Sequence, residues 1–129
     1  MSLDLNPTFQ KTLILLEETR KHVFLTGKAG TGKSTFLEHF RLHTKKKVIV
    51  LAPTGVAALN VGGQTIHSFF GWKPHVTPDE IKPSKKLKEL FAKIDIIIID
   101  EISMVRADLL DLVDITLRIN REGMRGVPF

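Results

Sequence analysis

The chain has 129 residues, of which 43% are hydrophobic, and a formal net charge of +5. This length and composition allow about one domain with a core of its own, and the basic balance favours contact with polyanions. The absence of cysteine excludes disulfides and thiolate metal sites, and no apolar run approaches the roughly 18 residues that a membrane span needs. Lysine groups such as the run Lys45–Lys47 and the cluster of Lys85, Lys86 and Lys88 are more often solvated surface than nucleic-acid contacts.

The first predicted element is a helix over residues 6–21. Asn6 suits the N-cap position and Pro7 the first helical position. Phe9, Leu13 and Leu16 then form one apolar face at helical spacing. A helix therefore precedes the first predicted strand, the apolar run at residues 23–25.

Residues 27–34 read Gly-Lys-Ala-Gly-Thr-Gly-Lys-Ser, a complete G-x-x-x-x-G-K-[ST] phosphate loop. Glycines let such a loop turn its N–H groups toward a phosphate, and the helix predicted over 33–43 presents its positive N-terminus to the same anion. The lysine reaches the β- and γ-phosphates, and the serine hydroxyl suits Mg²⁺. The candidate nucleotide ligands here are Gly27, Ala29, Gly30, Thr31, Gly32, Lys33, Ser34 and Thr35.

The middle of the chain alternates strand and helix signals. A strand is predicted over 48–51, followed by a short helix through residue 59 that Thr54 caps and a glycine pair ends. Another short segment follows at 65–70. Prolines then predict an irregular stretch over 71–83, and a helix over 84–93 leads to the next strand.

Residues 94–99 are all isoleucine except for Asp95, and this run ends in Asp100 and Glu101. Such a run predicts a strand buried on both faces, and ligands of parallel sheets bind at the carboxyl ends of the strands. Asp100 is therefore a candidate to hold Mg²⁺, and Glu101 to activate the water that attacks a γ-phosphate. The alternative is that both residues only cap the next helix, which is predicted over 104–120.

This alternation predicts an α/β fold with a mostly parallel sheet. Three strands would leave long edges and poorly covered faces, so we expect residues 1–129 to be a truncated piece of a larger protein. His39 and His43 are spaced four apart on a helix face, but no third metal ligand has matching spacing.

Three sequence blocks together resemble the petite-integration-frequency family of DNA helicases, in superfamily 1B, and their RecD-type relatives. The blocks are the phosphate loop in the form Phe-Leu-Thr-Gly-Lys-Ala-Gly-Thr-Gly-Lys-Ser-Thr (24–35), Leu-Ala-Pro-Thr-Gly-Val-Ala-Ala-Leu-Asn (51–60) with Thr-Ile-His-Ser-Phe-Phe (65–70), and Ile-Asp-Glu-Ile-Ser-Met (99–104). The last two are more restrictive than the first.

The resemblance implies the N-terminal part of a RecA-like motor domain that couples hydrolysis of ATP with Mg²⁺ to 5′-to-3′ movement on single-stranded DNA and to unwinding at duplex junctions. Lys33 and Glu101 match catalytic positions, Ser34 and Asp100 the magnesium contacts, and Gln10 the glutamine that reads adenine. DNA repair or recombination is the implied setting. A cytoplasmic location is expected in a bacterium or phage host, or the nucleus or mitochondrion in a eukaryote.

The second block supplies the implied DNA contacts, which are Pro53, Thr54, Gly55, His67 and Phe69. A capped helix N-terminus suits a backbone phosphate, and rings can stack on bases without reading a sequence. For Phe69 and Phe70, ordinary core packing is the alternative, and the spacing of Trp72 indicates no role.

Helicases of this type also carry a further strand ending in Gly-Asp-x-x-Gln, placed between the phosphate-loop strand and the strand before Asp100, and a second RecA-like domain. Neither is within residues 1–129, so we expect a gapped sheet and no unwinding by the chain alone. Two other classes stay open: a phosphate-loop kinase and a non-catalytic, nucleotide-gated DNA-binding module.

Overall fold

The structure is a computed structural model that describes residues 7–27 and 32–121. The chain divides into two compact units, residues 1–47 and 48–129. Over the described residues, no helix has the length and apolar character needed to cross a membrane.

In its described residues, the first unit contains two helices, α1 (Pro7–Glu18) and α2 (Lys33–His43). Both confirm the sequence predictions, although α1 ends before the predicted residue 21. Phe36 and Phe40 are buried on one face of α2, and the Phe9 ring of α1 packs against Phe36 with centroids 5.1 Å apart. The i,i+4 spacing of the two phenylalanines on α2 explains why one helix face is apolar.

The predicted strand at residues 23–25 is wrong, because residues 19–27 form neither helix nor strand. A strand exists only through hydrogen bonds to a neighbour. The three strands in the described part of the chain all belong to the second unit and pair only with each other. Phe24 is accordingly 74% exposed.

The second unit is built on a three-stranded parallel sheet in the order β2-β1-β3. Its strands are β1 (Val48–Ala52), β2 (Gln64–Thr65) and β3 (Ile96–Ile99). The register aligns Leu51 with Ile99 on one side and Ala52 with Thr65 on the other. All three strands therefore end at one edge of the sheet.

The strand before Asp100 was predicted to be buried on both faces, and this prediction overestimates its burial. Every residue of β3 is half-buried, whereas Val50, Leu51 and Ala52 of β1 are buried. The sheet order explains the difference, since β3 has a neighbour on one side only and β1 has one on each side. The isoleucine run thus marks an edge strand in the described residues.

Over residues 48–121, the second unit also contains four α-helices: α3 (Gly55–Val61), α4 (Ile66–Phe70), α5 (Lys85–Phe91) and α6 (Ala107–Asn120). The predicted cap at Thr54 is confirmed, since its hydroxyl oxygen accepts the backbone N–H of Ala57. Ser84, predicted only as the start of a helix, caps α5 by accepting the N–H of Leu87. Gly62 ends α3 with φ of 65°, as its place in the sequence indicates. Two short 3₁₀ turns, at 78–80 and 102–104, and strand β2 were not predicted.

The core of the second unit joins the sheet to α4, α5 and α6. Its buried members are Leu51, Ile66, Phe69, Phe70, Phe91, Val113 and Leu117. Gly63 lets α3 return to the sheet, because a Cβ there would lie 2.3 Å from the carbonyl oxygen of Val50. This packing fixes the ends of β1, β2 and β3, and so the positions at which the loops after these strands begin.

Candidate functional site

The start of α2 carries the described part of the phosphate loop. Gly32 has φ of 86°, a left-handed conformation that glycine adopts at little cost, and its carbonyl accepts the N–H of Phe36 at 2.8 Å. The Lys33 ammonium donates a hydrogen bond to the carbonyl oxygen of Gly27, which bridges the two ends of the loop. Ala29, Gly30 and Thr31 lie outside the described residues.

The first turn of α2 has the features of an anion site. Ser34 and Thr35 are exposed there, beside the half-buried Lys33. The first N–H groups of a helix have no partner within the helix, and the helix dipole makes this end positive. Two hydroxyls, an ammonium and free amide donors therefore gather at one point on the first unit.

Helix α1 places Phe9, the residue before Gln10, against a residue of the phosphate loop. Phe9 packs on Phe36, and a Cβ built on Gly32 would lie 3.6 Å from the Phe9 ring. Gln10 follows directly, with an exposed side chain. The Phe9 contact thus attaches the start of α1 to the start of α2, and the sequence pattern alone did not indicate this contact.

The end of β3 presents the two predicted carboxylates. The Asp100 N–H donates to the carbonyl oxygen of Leu51 at 2.8 Å, which continues the pairing with β1 by one residue. Asp100 is half-buried and Glu101 is exposed. Glu101 has φ of 54°, the one non-glycine residue with positive φ in the described ranges.

The helix-capping alternative for Glu101 finds no support in this geometry. Its side chain makes no capping hydrogen bond to the 3₁₀ turn that follows. Helix α6 begins at Ala107, later than predicted. In its first turn the Asp108 carboxylate accepts hydrogen bonds from the Leu109 N–H at 3.0 Å and from the Arg106 guanidinium at 3.1 Å. That guanidinium lowers the pKa of the Asp108 carboxyl. Glu101 is thus not needed as a cap.

The carboxyl edge of the sheet also holds the predicted DNA contacts. Thr54 Oγ1 accepts the Ala57 N–H at 3.2 Å, and both Thr54 and Gly55 are exposed, while Pro53 is half-buried. A Cβ on Gly55 would meet no atom within 4 Å. These residues follow β1, the strand next to β3, so they share one edge of the sheet with Asp100.

His67 lies in α4, which begins at the same edge after β2. Thr65 caps α4 by accepting the Ser68 N–H at 3.1 Å. The half-buried His67 ring meets Trp72 edge-on, with centroids 6.2 Å apart, and Trp72 stacks on Phe70 at 4.5 Å. The sequence did not predict the contacts of Trp72 with these two rings. The signal that could have indicated them is Gly71, which ends α4 with φ of 72° and turns the chain back.

Phe69 differs from the other predicted DNA contacts. Its side chain is 9% exposed and lies 4.9 Å from the ring centre of Phe70 and 6.3 Å from that of Phe91. This burial favours the core-packing alternative over base stacking. The alternation of a half-buried His67 with a buried Phe69 depends on how α4 rests on the sheet.

His39 and His43 stack with centroids 4.2 Å apart, and His43 Nδ1 lies 2.8 Å from the carbonyl oxygen of His39. Across the described ranges, no group of three or more His, Cys, Asp or Glu side chains has a geometry able to hold a metal ion. The pair therefore shows local ring packing and a backbone hydrogen bond.

The parallel sheet with flanking helices, the phosphate-loop sequence and the Asp-Glu pair at a strand end define a phosphate-loop nucleotide-binding protein with a RecA-like core. A family model described as PIF1-like helicase matches residues 9–129. The chain belongs to the PIF1-like helicase family, as the three sequence blocks predicted.

Known proteins similar to the chain agree with this assignment. ATP-dependent DNA helicase PIF1 of Saccharomyces cerevisiae is 37% identical over 124 residues, which cover 88% of this chain and 14% of the yeast protein. The crystal structure of Bacteroides sp Pif1 in complex with ADP-AlF4 has a TM-score of 0.82 and 46% identity, covering 92% of this chain and 29% of that one. Bacteroides Pif1 bound to ssDNA has a TM-score of 0.78 and 47% identity, with coverage of 92% and 28%. The chain thus spans under a third of the length of these relatives.

Proposed function

We propose that this chain is the N-terminal part of the first RecA-like domain of an ATP-dependent DNA helicase. The full-length protein would hydrolyse ATP, move 5′ to 3′ on single-stranded DNA and separate duplexes at junctions. The observation that carries the proposal is the placement of Asp100 and Glu101 directly after β3. They lie at the same edge of the sheet as Thr54, which follows β1, and the start of α4, which follows β2. The family membership and the printed names of the relatives support it.

The phosphate loop and α2 bind the triphosphate in this proposal. Lys33 neutralises the β- and γ-phosphates, and the remaining loop residues, Gly27 to Thr35, surround them with N–H donors. Gln10 reads adenine from α1. Ser34 and Asp100 carry oxygen atoms, the donor type that Mg²⁺ prefers, and the resemblance to the helicase family assigns both residues to this ion. When bound, Mg²⁺ would offset the charge that develops on the phosphates.

Glu101 is the proposed general base. Its carboxylate would orient a water molecule and take a proton from it as the water attacks the γ-phosphate. The exposed side chain and the absence of a capping bond leave both oxygens available for this proton transfer. A kinase, which transfers phosphate to a bound acceptor, does not require this residue.

The same sheet edge would contact one DNA strand. The exposed N-terminus of α3 at Thr54 and Gly55 suits a backbone phosphate, with Pro53 shaping the turn before it. His67, backed by Trp72, suits a base or sugar face. Phe69 supports this surface from beneath by packing in the core.

ATP turnover by the full-length protein, measured with and without single-stranded DNA, tests the proposal. We expect DNA to stimulate turnover strongly, and Glu101→Gln to lower kcat by about 10²–10⁴-fold, the usual contribution of a general base. Glutamine keeps the size of the side chain but cannot take the proton, so ATP binding should persist in the variant.

The alternatives give different results in this experiment. Turnover that is indifferent to DNA would contradict the helicase proposal and favour a kinase acting on a small acceptor. DNA binding without any turnover would favour the non-catalytic module. We place the protein in the bacterial cytoplasm, or in the nucleus or mitochondrion of a eukaryote, where its DNA partner would be found.

A further inference from the structure

The C-terminal end of α1 is held by a lysine that is distant in sequence. The Lys46 ammonium donates to the carbonyl oxygens of Leu16 at 2.6 Å and Thr19 at 2.9 Å. The last carbonyls of a helix have no partner within it, and a cation at this end also interacts favourably with the helix dipole. Lys46 is half-buried, so its side chain packs against α1 instead of extending into solvent.

A carboxylate on α1 completes the attachment from the other side. Glu17 accepts the Thr44 hydroxyl at 2.5 Å and the Lys45 backbone N–H at 3.0 Å. We call the four hydrogen bonds made by Glu17 and Lys46 the α1 clamp. Three of them join α1 to the segment immediately after α2, and the fourth joins that segment to Thr19, the residue directly after α1; all four span more than 25 residues of sequence.

The clamp and Phe9 attach α1 at opposite ends. Phe9 packs on Phe36 near the N-terminus, and the clamp holds the last turn. Gln10 and Glu17 are seven residues apart, or about 10 Å along the helix. A helix held at both ends has a fixed direction, so the clamp helps to fix the backbone position from which the Gln10 side chain extends.

We propose that Glu17 and Lys46 are positioning residues that keep Gln10 aligned with the adenine base of the bound nucleotide. This inference rests on the proposed function of Gln10 as the adenine-reading residue. Glu17 and Lys46 do not themselves contact the nucleotide. They act through the orientation of α1.

The chemistry of the base gives the proposal a specific readout. An amide side chain can donate to N7 of adenine and accept from its N6 amino group. Guanine has an acceptor, O6, in place of that amino group, so the pairing fails. A correctly aligned Gln10 therefore favours ATP over GTP, whereas the triphosphate contacts of α2 are the same for both nucleotides.

The test is the ratio of the dissociation constants for ATP and GTP in the full-length protein, four single variants and one double variant. Gln10→Ala gives the ratio without the reading residue. Lys46→Met removes the ammonium and keeps most of the side-chain length, and Glu17→Gln weakens the clamp from its other side. Lys45→Met is the matched control, because it removes the same charge from an exposed neighbour and leaves the clamp hydrogen bonds in place.

We expect Lys46→Met and Glu17→Gln to lower the preference for ATP toward that of Gln10→Ala, by roughly two- to tenfold, the fold-change that one hydrogen bond provides. The affinity for GTP and that of Lys45→Met for both nucleotides should stay unchanged. Adding Lys46→Met to Gln10→Ala should have no further effect on the ratio. Unfolding midpoints identify any variant that fails to fold, in which case the other clamp variant decides.

Three outcomes overturn the inference. Equal weakening of ATP and GTP would show a clamp that serves only the fold. An unchanged ratio in both clamp variants, beside a reduced ratio in Gln10→Ala, would show that Gln10 reads adenine without the clamp. An unchanged ratio in Gln10→Ala would show that Gln10 does not read adenine, so there would be no recognition for the clamp to position. Failure of the proposed function looks different, because the unmodified protein would then show no ATP turnover that single-stranded DNA stimulates, whatever its ratio of dissociation constants.

Discussion

Glu101 has a backbone conformation that residues with a side chain seldom adopt. Its φ of 54° and ψ of 45° are left-handed, which costs a non-glycine residue on the order of 1 kcal/mol or more. No capping bond of its side chain compensates. Strain of this kind is common where a side chain must be aimed at a substrate, which fits the proposed role of Glu101 as a base.

Gly55 allows stability and DNA binding to be separated at one residue. A Cβ there meets nothing within 4 Å, so Gly55→Ala should leave the fold intact and raise the free energy of unfolding by up to about 1 kcal/mol through helix propensity. If a DNA phosphate lies against this backbone, the same change should weaken single-stranded DNA binding roughly tenfold, the equivalent of one charge-assisted hydrogen bond. Thermal unfolding and a DNA titration measure the two effects.

Gly63→Ala is the matched control for Gly55→Ala. Its Cβ would lie 2.3 Å from the carbonyl oxygen of Val50, so it should destabilise the fold by about 1–3 kcal/mol. A Gly55→Ala protein that binds DNA normally would exclude close contact at this position.

Glu17 gives the first unit a predicted dependence on pH. The hydrogen bond from the Thr44 hydroxyl, with that from the Lys45 N–H, lowers the pKa of the Glu17 carboxyl below its ordinary value of 4.5. Between the lowered and the ordinary pKa, the unfolded chain binds more protons than the folded one, so stability rises with pH there. The contribution of Glu17 is complete above the ordinary pKa and is lost as the pH falls through the lowered one.

Glu17→Gln isolates this contribution. We expect the unmodified protein to exceed the variant in unfolding midpoint by a constant amount near neutral pH, and the difference to shrink in acid, measured from about pH 3 to pH 7. A difference that is the same at every pH would show that the ionised form of Glu17 contributes nothing.

At the scale of elements, Asn120 joins the two helices on either side of β3. Its side chain is 1% exposed, accepts the Ser84 N–H at 2.7 Å and donates to the Thr116 carbonyl at 2.9 Å. Ser84 caps α5, which leads into β3, and Asn120 ends α6, which follows the carboxylates. One buried amide thus fixes the elements that flank the strand bearing Asp100.

Asn120→Ala should therefore be costly. It leaves a partly buried N–H at Ser84 without its acceptor, and we expect a loss of about 1–3 kcal/mol in the free energy of unfolding. Asn60→Ala, at an exposed position on α3, is the control and should change stability by less than about 0.5 kcal/mol. Chemical denaturation of both variants measures the difference, and equal effects would contradict the linking role.

At the scale of the whole molecule, the chain spans 14% of the yeast relative and under a third of the solved Bacteroides chains. A helicase motor needs two domains that close around ATP, and the resemblance implies that the second is not within residues 1–129. We predict that the chain alone binds ATP but does not separate a forked duplex. A strand-separation assay with the full-length protein as the positive control tests this, and robust unwinding by residues 1–129 would refute it.

The sequence by itself determined the family, the order of the helices and the candidate catalytic residues. These depend on local chemistry: Pro7 can begin a helix but not continue one, Gly62 suits a left-handed helix end, and the phosphate-loop and Asp-Glu patterns have fixed spacing. Such signals act over a few residues, so they can be read without knowing which parts of the chain meet.

Only the tertiary structure decided features that depend on distant neighbours. Residues 23–25 have the composition of a strand but pair with none in the described chain, and β3 is half-buried because it is an edge strand. Packing against Phe91 placed Phe69 in the core, and Lys46 reached α1 across 30 residues. Hydrogen-bond partners and burial are properties of the assembled fold, so no local pattern specifies them.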